Sequence, residues 1–530
     1  MHRISRAIAA VVSVAAFAAA FSCGKSSPEG FTDSDRGSSG GDGGFLSGDG
    51  ATSSGAGSFG GSGGAGSSSG GTVQCPPGLQ CNVSCPNGGD TTITGKVYDP
   101  AGLNPLYNVA VYVAATPLQP LPRGVPTGAA ACSCSALYAS GSLSGSTTAV
   151  DGTFTLKNAP AGAQVPLVLQ VGKWRRLVTI DVTACQDNAQ ADGSLTLPGT
   201  VAAGDTNDNI PDIAVSTGHA DTLECLIHRI GVPTTEYVAG AATGGHIHIF
   251  SGGDPSGGKG GQTVPGAPES PAMAGAPASY TDLWSTQDQL MPYDVTLLSC
   301  EGGETYQANP PALEAYLNAG GRVFASHFQY SWFAGPFASK QAYTAPSDWG
   351  GNLATWTNPD PPSSDGPIGG IIETTLNGSS MPFPKGLAFQ QWLSGVGALG
   401  QNGVPAGELS IYDPRYNAVV AAPNVPSQAW IVADSSGMAG QTIYFSFDTP
   451  VNLAPPPPSA DGGGGASYCG RAVFSDLHVA GNPMTDDTPP PPDGCSSKAL
   501  SPQEKALEFM LFDLSSCVIP DTVAPTTILQ

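Results

Sequence analysis

Positive charge is scarce in this 530-residue sequence, which has 19 Lys plus Arg against 42 Asp plus Glu and a formal net charge of -23 at pH 7. A surface this acidic repels phosphate backbones, so we expect no nucleic-acid partner. Charged residues of all kinds make up only 12%, whereas the chain contains 72 Gly and 48 Pro. Much of the length is therefore expected to be linker and loop, with room for two or three domains.

The apolar run at residues 7–21 is too short for a comfortable membrane span. It follows Arg3 and Arg6 and precedes Ser22, which predicts an export signal over residues 1–22. Residues 20–24, Ala-Phe-Ser-Cys-Gly, resemble a bacterial lipoprotein box. The resemblance implies a lipid on Cys23 and attachment to the membrane at the outer membrane or cell surface. Plain secretion is the alternative.

Residues 24–72 are almost wholly Gly, Ser, Ala and Asp. Such a composition buries too little apolar area to offset the entropy of ordering the chain. We interpret residues 23–72 as the lipid anchor and a disordered tether that holds a folded body away from the membrane.

Residues 73–200 alternate apolar and polar side chains in short runs between turn residues, which predicts a small antiparallel β-sandwich. The predicted strands are residues 93–98, 109–113, 153–156 and 165–171. The positions of Gly95, Val97, Asp99, Gly102 and Pro105, together with the later Asp151-Gly152-Thr153-Phe154, resemble a carboxypeptidase regulatory-like domain. The resemblance implies a structural or interaction module.

Twelve cysteines in a chain with an export signal predict disulfides, since oxidising compartments preserve them. Three bridges are expected within the β-domain, with a metal site as the alternative, among Cys75, Cys81, Cys85, Cys132, Cys134 and Cys185. One disulfide, or else a zinc site, is expected among Cys469, Cys495 and Cys517. If Cys23 carries lipid, eleven cysteines remain and at least one is unpaired in a monomer.

Residues 205–520 alternate between strand-like and helix-like patterns, most clearly at residues 291–333. There a buried strand at residues 295–298 precedes a helix that starts at Pro310 or Pro311, stops at Gly320-Gly321 and leads into a strand at residues 322–325. Such a unit implies a right-handed parallel crossover.

Other elements predicted in this part are strands at residues 213–216, 246–250, 429–433, 442–447 and 471–477 and helices capped by Asp221, at residues 387–396 and after Ser501. The alternation predicts an α/β doubly wound, flavodoxin-like sheet with a loop- and strand-rich insertion at about residues 335–470.

The residues that carry a family resemblance are Tyr293-Asp294-Val295, Cys300-Glu301-Gly302-Gly303 and the segments 313–321, 322–327 and 473–478. They resemble the class I glutamine amidotransferase-like fold, in particular its trehalose-utilisation-type branch. In catalytic members the nucleophilic cysteine follows the strand that is here residues 322–325, where this chain has Ser326-His327. His478 matches the catalytic histidine, and Ala480 stands where a carboxylate would orient it. The resemblance therefore implies the fold and leans against amidotransferase activity.

Ligands of doubly wound sheets bind beyond the carboxyl ends of the strands. The residues expected to line that crevice are His219, Cys300, Glu301, Ser326, His327 and His478. Among them, the candidates for catalysis are Cys300, His327 and His478, and the candidates for a metal are His219, His327 and His478. The simpler interpretations of Cys300 are a small buried residue or a disulfide partner.

Two weaker patterns have a functional and a plain interpretation. His246 and His248 share one strand face, as a metal pair or as hydrogen-bonded strand residues. Oxygen side chains at alternate positions of residues 205–209 suggest a calcium loop or, more simply, a polar linker.

Three functions remain open at this stage. The first is a cell-envelope lipoprotein whose α/β domain binds a ligand or partner, such as an envelope polysaccharide or protein, without catalysis. The second is a hydrolase that uses Cys300 or a metal held by His219, His327 and His478. The third is a purely structural or adhesive surface protein. The sequence identifies no cofactor and no oligomeric state.

Overall fold

The structure is a computed structural model that describes residues 75–128, 132–218, 221–254, 262–264, 277–337, 342–357, 367–424, 426–434, 438–451, 468–479, 495 and 499–525. The expected signal, the lipidation candidate Cys23 and the tether lie outside these residues, as do His219 and Ala480. In the described part of the chain, no helix has the length and apolar character needed to span a bilayer.

The described residues form strands in several sheets and comparatively few helices. The strands are β1 Thr92–Tyr98, β2 Ala110–Ala114, β3 Ser142–Thr147, β4 Thr153–Leu156, β5 Gly162–Val171, β6 Trp174–Val182, β7 Asp187–Ala189, β8 Leu195–Thr196, β9 Ile213–Ser216, β10 Tyr237–Ala239, β11 Ile247–Asp254, β12 Gln262–Val264, β13 Ala278–Ser279, β14 Val295–Leu298, β15 Arg322–Ser326, β16 Thr355–Trp356, β17 Ile368–Ile372, β18 Leu409–Ile411, β19 Ala418–Val419, β20 Ser427–Ala433, β21 Thr442–Thr449 and β22 Gly470–Ser475. The helices are α1 Leu223–Arg229, α2 Thr281–Trp284, α3 Gln287–Leu290, α4 Pro310–Asn318, α5 Tyr330–Ala334, α6 Pro384–Gly395 and α7 Pro502–Ser515.

These strands form a mixed α/β protein with two small sheets and one large one. The small sheets have the orders β4-β1-β7, with β8 also on β1, and β3-β2-β5-β6. The large sheet has the main order β10-β11-β9-β14-β15-β22-β21-β20-β17-β18. Its first six strands pair in parallel, and β22 onward pair antiparallel. Residues from the expected insertion therefore extend the same sheet.

Several elements match the sequence-based boundaries. Strands β4, β9 and β14 span the predicted residues, and the helix predicted after Ser501 is α7, which begins with a capping box of Ser501 and Glu504. The prediction that Asp221 caps a helix is wrong, because the N-cap of α1 is Thr222 and no side chain caps it. The Asp221 carboxylate instead accepts hydrogen bonds from the Thr222 and Val479 N–H groups and the Ser326 hydroxyl.

Both faces of the parallel strands are buried. Phe324 of β15 faces one apolar core, while Val323 and Ala325 face a second core that also contains Leu313 of α4. The first core continues through α7 into the two small sheets. Aromatic pairs mark this contact, with ring centroids 5.1 Å apart for Trp174 and Phe512. The small sheets and the large sheet therefore share one core, and α7 is buried between them.

Five disulfides join the described residues: Cys75–Cys81, Cys85–Cys185, Cys132–Cys469, Cys134–Cys517 and Cys225–Cys495. This number indicates an exported protein. Two predictions are wrong: the six cysteines of the β-rich part do not pair only with one another, and the three C-terminal ones do not pair among themselves. The reason is tertiary, since the loop with Cys132 and Cys134 meets chain that comes more than three hundred residues later.

Ionic contacts join the same two parts of the chain. Arg123 pairs with Asp212, and the Lys173 ammonium lies 2.6 Å from the Asp294 carboxylate. The segment at residues 205–209 lies beside this contact, and Arg175 donates to the carbonyls of Thr206 and Asn207. The side-chain oxygens of the segment also accept from protein donors, Asp205 from the Asn207 N–H and Asp208 from the Leu177 N–H, each at 2.8 Å, which supports the polar-linker interpretation over the calcium loop.

Helix α7 carries a buried carboxyl group whose charge is unfavourable. Burial, together with the nearby Asp99 carboxylate, raises the pKa of Glu508 well above its usual value, and Asn104 donates to it at 2.7 Å. A raised native pKa means that this group's contribution to stability is fully present below the unfolded pKa of about 4.3 and is lost as pH rises through the native pKa.

We therefore expect Glu508→Gln to stabilise the protein at pH 8 by about 1–3 kcal/mol and to change little at pH 4. Thermal unfolding at both pH values measures this. Asp513→Asn on the same helix is the control of opposite sign. Burial alone raises the pKa of Asp513, but Lys385 and Arg471 outweigh it and lower the pKa. Removing that charge should lower the free energy of unfolding by about 3–5 kcal/mol at pH 8. A destabilised E508Q at pH 8 would contradict the assignment.

Candidate functional site

Three adjacent parallel strands end at the candidate site. Cys300 follows β14 by two residues, His327 follows β15 directly, and His478 lies three residues after β22. The pairing registers place β15 between β14 and β22, with Leu298 opposite Ala325 and Ser326 opposite Ser475. Because parallel strands finish at the same edge, the sequence-based convergence of these three side chains follows from the topology.

The three side chains form one compact cluster. The Cys300 Sγ and one ring nitrogen from each of His327 and His478 all lie within 4.8 Å of one another. The Cys300 Sγ is 3.3 Å from His327 Nδ1. Cys300 is fully buried, each histidine is 2% exposed, and Cys300 is the one free cysteine among the described residues. A thiol and two imidazoles are a chemically suitable set of metal ligands.

The backbone at His327 makes an abrupt turn from strand to helix. His327 has a φ of 45°, a left-handed value that is rare for a residue with a Cβ and is concentrated at functional sites. A one-turn 3-10 helix, His327–Gln329, follows at once. Hydrogen bonds hold both flanks, from the Ser326 hydroxyl to Asp221 at 2.5 Å and from the Gln329 amide to the Ser299 carbonyl at 2.7 Å. This turn fixes the His327 ring beside Cys300.

A carboxylate from outside the strand ends completes the cluster. Asp413 lies on the segment between β18 and β19, with a φ of 47°, and its Oδ2 is 3.7 Å from His478 Nδ1. Its other contact is Arg415, at 3.0 Å. The same segment reaches Asp476, whose carboxylate accepts the Asn417 N–H at 2.8 Å. The antiparallel part of the sheet thus contributes to the site formed by the parallel part.

The pKa values of the two histidines are shifted in opposite directions. Burial lowers the pKa of His327 well below its usual value, and the positive charges of His478 and Arg415 lower it further, so the ring is neutral at pH 7. Burial also lowers the pKa of His478, but contacts with Asp413 and Cys300 and the charge of Asp221 outweigh it and raise the pKa to about 10. In the metal-free protein His478 is therefore an imidazolium at neutral pH.

The other expected crevice residues have separate roles. The Glu301 carboxylate accepts the Gly253 N–H at 3.1 Å. Ser326 is bound to Asp221, and His219 lies outside the described residues. The preceding Gly218 packs so closely on Cys300 that a Cβ there would overlap the Cys300 carbonyl. Of the six predicted crevice residues, the structure brings Cys300, His327 and His478 together.

His246 and His248 do not form a second cluster. His246 Nδ1 lies 2.6 Å from the Glu236 carboxylate. His248 contacts the Gly240 carbonyl at 2.7 Å and Asp212 at 3.3 Å. The hydrogen-bonded interpretation of this strand face is therefore confirmed.

Sequence reasoning missed Asp413 and its partner Arg415. The sequence places Ala480 where a carboxylate would orient His478, whereas in the structure the Asp413 carboxylate lies 3.7 Å from His478 Nδ1. The Asp-Pro pair at residues 413–414 signals only a turn, and nothing local indicates that this turn reaches the end of β22.

In comparisons with protein-family models, curated protein sequences and solved structures, the chain matches none of them. The function must therefore be argued from the chemistry of the site.

Replacement of Asp413 tests its role beside His478. We expect Asp413→Asn to lower the pKa of His478 from about 10 by about 1–3, because a carboxylate neighbour favours the charged imidazole. NMR titration of chelator-treated protein measures the change. Asp434→Asn, at the β17 edge of the sheet beside Gly369, is the control. An unchanged His478 titration in D413N would show that the pair does not form.

Proposed function

We propose that this exported protein binds one transition metal ion of the Zn²⁺ type through Cys300, His327 and His478. The single observation that carries the proposal is the convergence of one sulfur and two imidazole nitrogens within 4.8 Å, all buried. Ligands of a tetrahedral ion at bond lengths of about 2.0–2.3 Å lie about 3–4 Å apart. A small contraction of this cluster would therefore reach a metal shell.

The surroundings of both histidines support this proposal. A neutral imidazole is the form that binds a metal, and the lowered pKa of His327 keeps that ring neutral. Asp413 on His478 Nδ1 corresponds to the carboxylate–histidine–metal arrangement that orients metal ligands. On binding, the metal ion would displace a proton from the His478 ring. Asp413 would remain in contact with that ring.

Three protein ligands favour an open site over a closed structural one. Structural zinc sites are filled by four protein ligands, whereas catalytic sites use three and leave a position for water or substrate. A metal at this position would lower the pKa of a bound water and polarise a bound ligand. Among the functions considered from sequence, a metal-dependent hydrolase or a metal-dependent ligand-binding protein fits the cluster best.

We also propose the finer fold assignments. The carboxypeptidase regulatory-like β-sandwich over residues 73–200 is supported by the two small sheets that share one core. The amidotransferase-like, flavodoxin-like domain over residues 205–520 is supported by the six parallel strands and by the site at their carboxyl ends.

We propose, finally, that the protein is a lipoprotein attached to the outer membrane or cell surface through Cys23. The lipobox-like residues 20–24 and the five disulfides of an exported chain support this. Its partner would be an envelope polysaccharide or protein reached from the tether.

Metal content tests the proposal directly. Protein loaded with Zn²⁺ and dialysed should retain one ion per chain by mass spectrometry. His327→Ala and His478→Ala should each weaken zinc binding by more than about 100-fold, since outer-shell changes alone cost 10–100-fold. His246→Ala, whose ring is bound to Glu236, is the matched control and should bind like the wild type. Equal zinc affinity in all four proteins would refute the site.

A second candidate function is a thiol hydrolase, in which Cys300 is the nucleophile and His478 its partner. The observation that favours it is the Cys300, His478 and Asp413 series, which has the order of a nucleophile, a base and an orienting carboxylate.

Alkylation of Cys300 separates the two functions. If the metal proposal holds, bound Zn²⁺ should slow alkylation by iodoacetamide at least about tenfold, because the thiolate is shared with the metal. A nucleophile without metal should react equally fast with and without Zn²⁺, and His478→Ala should slow it. Peptide mass spectrometry at Cys300 measures both rates.

A further inference from the structure

The edge of the sheet that carries the cluster contains many buried polar atoms without hydrogen-bond partners. Buried donors and acceptors are rarely left unpaired, so a group of them at one place is a position where a water, an ion or a ligand can bind. Among the described residues, the side-chain atoms at this edge that lack a partner are Ser299 Oγ, His327 Nε2, Arg415 Nε, Asn417 Oδ1, Asp476 Oδ1 and His478 Nε2. Four of these six atoms belong to residues other than the three proposed metal ligands.

Arg415 is the cation of this group. Its Nη2 contacts only Asp413 among the hydrogen bonds and ion pairs of the described residues, and its charge acts on His327, Asp413 and Asp476. The Arg415 and Asp413 side chains are 19% and 26% exposed, whereas His478 is 2% exposed. Arg415 and Asp413 are therefore the partly exposed side chains next to the buried His478.

The positive charge of Arg415 is only partly neutralised by neighbouring carboxylates. Asp413 is shared between Arg415 and His478. By contrast, the fully buried Arg471 is met by three aspartates, Asp448, Asp513 and Asp521. The Arg415 Nε atom is buried and has no hydrogen-bond partner among the described residues.

Among the described residues, no hydrogen bond or ion pair joins Arg415 to the other carboxylates near the cluster, Asp221 and Asp476. Asp221 accepts from the Ser326 hydroxyl at 2.5 Å and the Val479 N–H at 2.8 Å. Asp476 accepts the Asn417 N–H. The guanidinium of Arg415 thus retains donor capacity that these carboxylates do not use, and guanidinium donors match the geometry of carboxylate and phosphate groups.

We propose that Arg415 binds the anionic group, a carboxylate or a phosphate, of a small molecule that occupies the open position on the metal. This inference rests on the proposed metal site and adds the ligand class to it. Asn417 Oδ1 accepts a hydrogen bond from a hydroxyl or amino group of the same molecule. The ligand is therefore a small anion that also carries a hydrogen-bond donor.

The test uses the whole exported chain loaded with Co²⁺ at the metal site, whose visible spectrum reports a new ligand on the ion. Inorganic phosphate and glycolate, a carboxylate with a hydroxyl group, are titrated separately to distinguish the two anions. We expect at least one of the two anions to change the spectrum. Its affinity should be at least tenfold weaker in Arg415→Met. In Arg415→Lys, which keeps the charge but loses Nε, the affinity should be intermediate. Arg176→Met is the matched control, because Arg176 is bonded to Thr196 in the β-rich part.

Metal content of each variant separates the two proposals. If R415M keeps one Co²⁺ per chain and binds both anions as the wild type does, the Arg415 inference is wrong. If the wild type holds Co²⁺ but binds neither anion, the inference is also wrong while the metal site stands. If the wild type holds no metal, calorimetry is used to measure binding of the same anions to the metal-free chain. Anion binding that depends on Arg415 in the metal-free chain would support the anion site without the metal site. Absence of anion binding would refute both sites.

Discussion

The structure depends on the burial of both faces of its central parallel strands. Residues 323–325 on β15 alternate between two apolar cores, so these strands have no solvent-facing side on which to carry polar chemistry. The polar side chains of the candidate site therefore lie beyond the strand ends, where the backbone leaves the sheet. Cys300, His327 and His478 lie together because each occupies the first positions after such a strand. The site is a consequence of how the sheet is covered.

This constraint also explains what could be predicted from the sequence. Short apolar runs followed by a polar residue identify the ends of β14, β15 and β22, and parallel order brings those ends together. The prediction of Cys300, His327 and His478 as neighbours needed no information beyond the strand pattern. Asp413 and Arg415 could not be found in this way, because their segment follows β18, at the antiparallel end of the sheet. The disulfides were equally inaccessible, since spacing along the chain says nothing about which loops meet.

Helix α7 shows how charge is handled where packing allows no solvent. It lies between the small sheets and the large one, with Phe509 and Phe512 contacting aromatic rings on both sides. Its buried Asp513 faces Lys385 and Arg471, whereas Glu508 faces Asp99, another acid. The first arrangement stabilises a charge and the second favours a proton. One helix therefore carries two buried acids that respond to pH in opposite directions.

The disulfide pattern has a consequence for biogenesis. Cys132 and Cys134 pair with residues 337 and 383 positions later, near the end of the chain. An exported polypeptide crosses the membrane from its N-terminus, so both thiols emerge long before their partners. These two disulfides can close only after residues 469 and 517 have crossed the membrane. Until then these two thiols, which have one residue between them, must stay reduced or be released from other disulfides by thiol–disulfide exchange. Maturation of this protein should therefore depend on disulfide-exchange catalysts more than on the rate of synthesis.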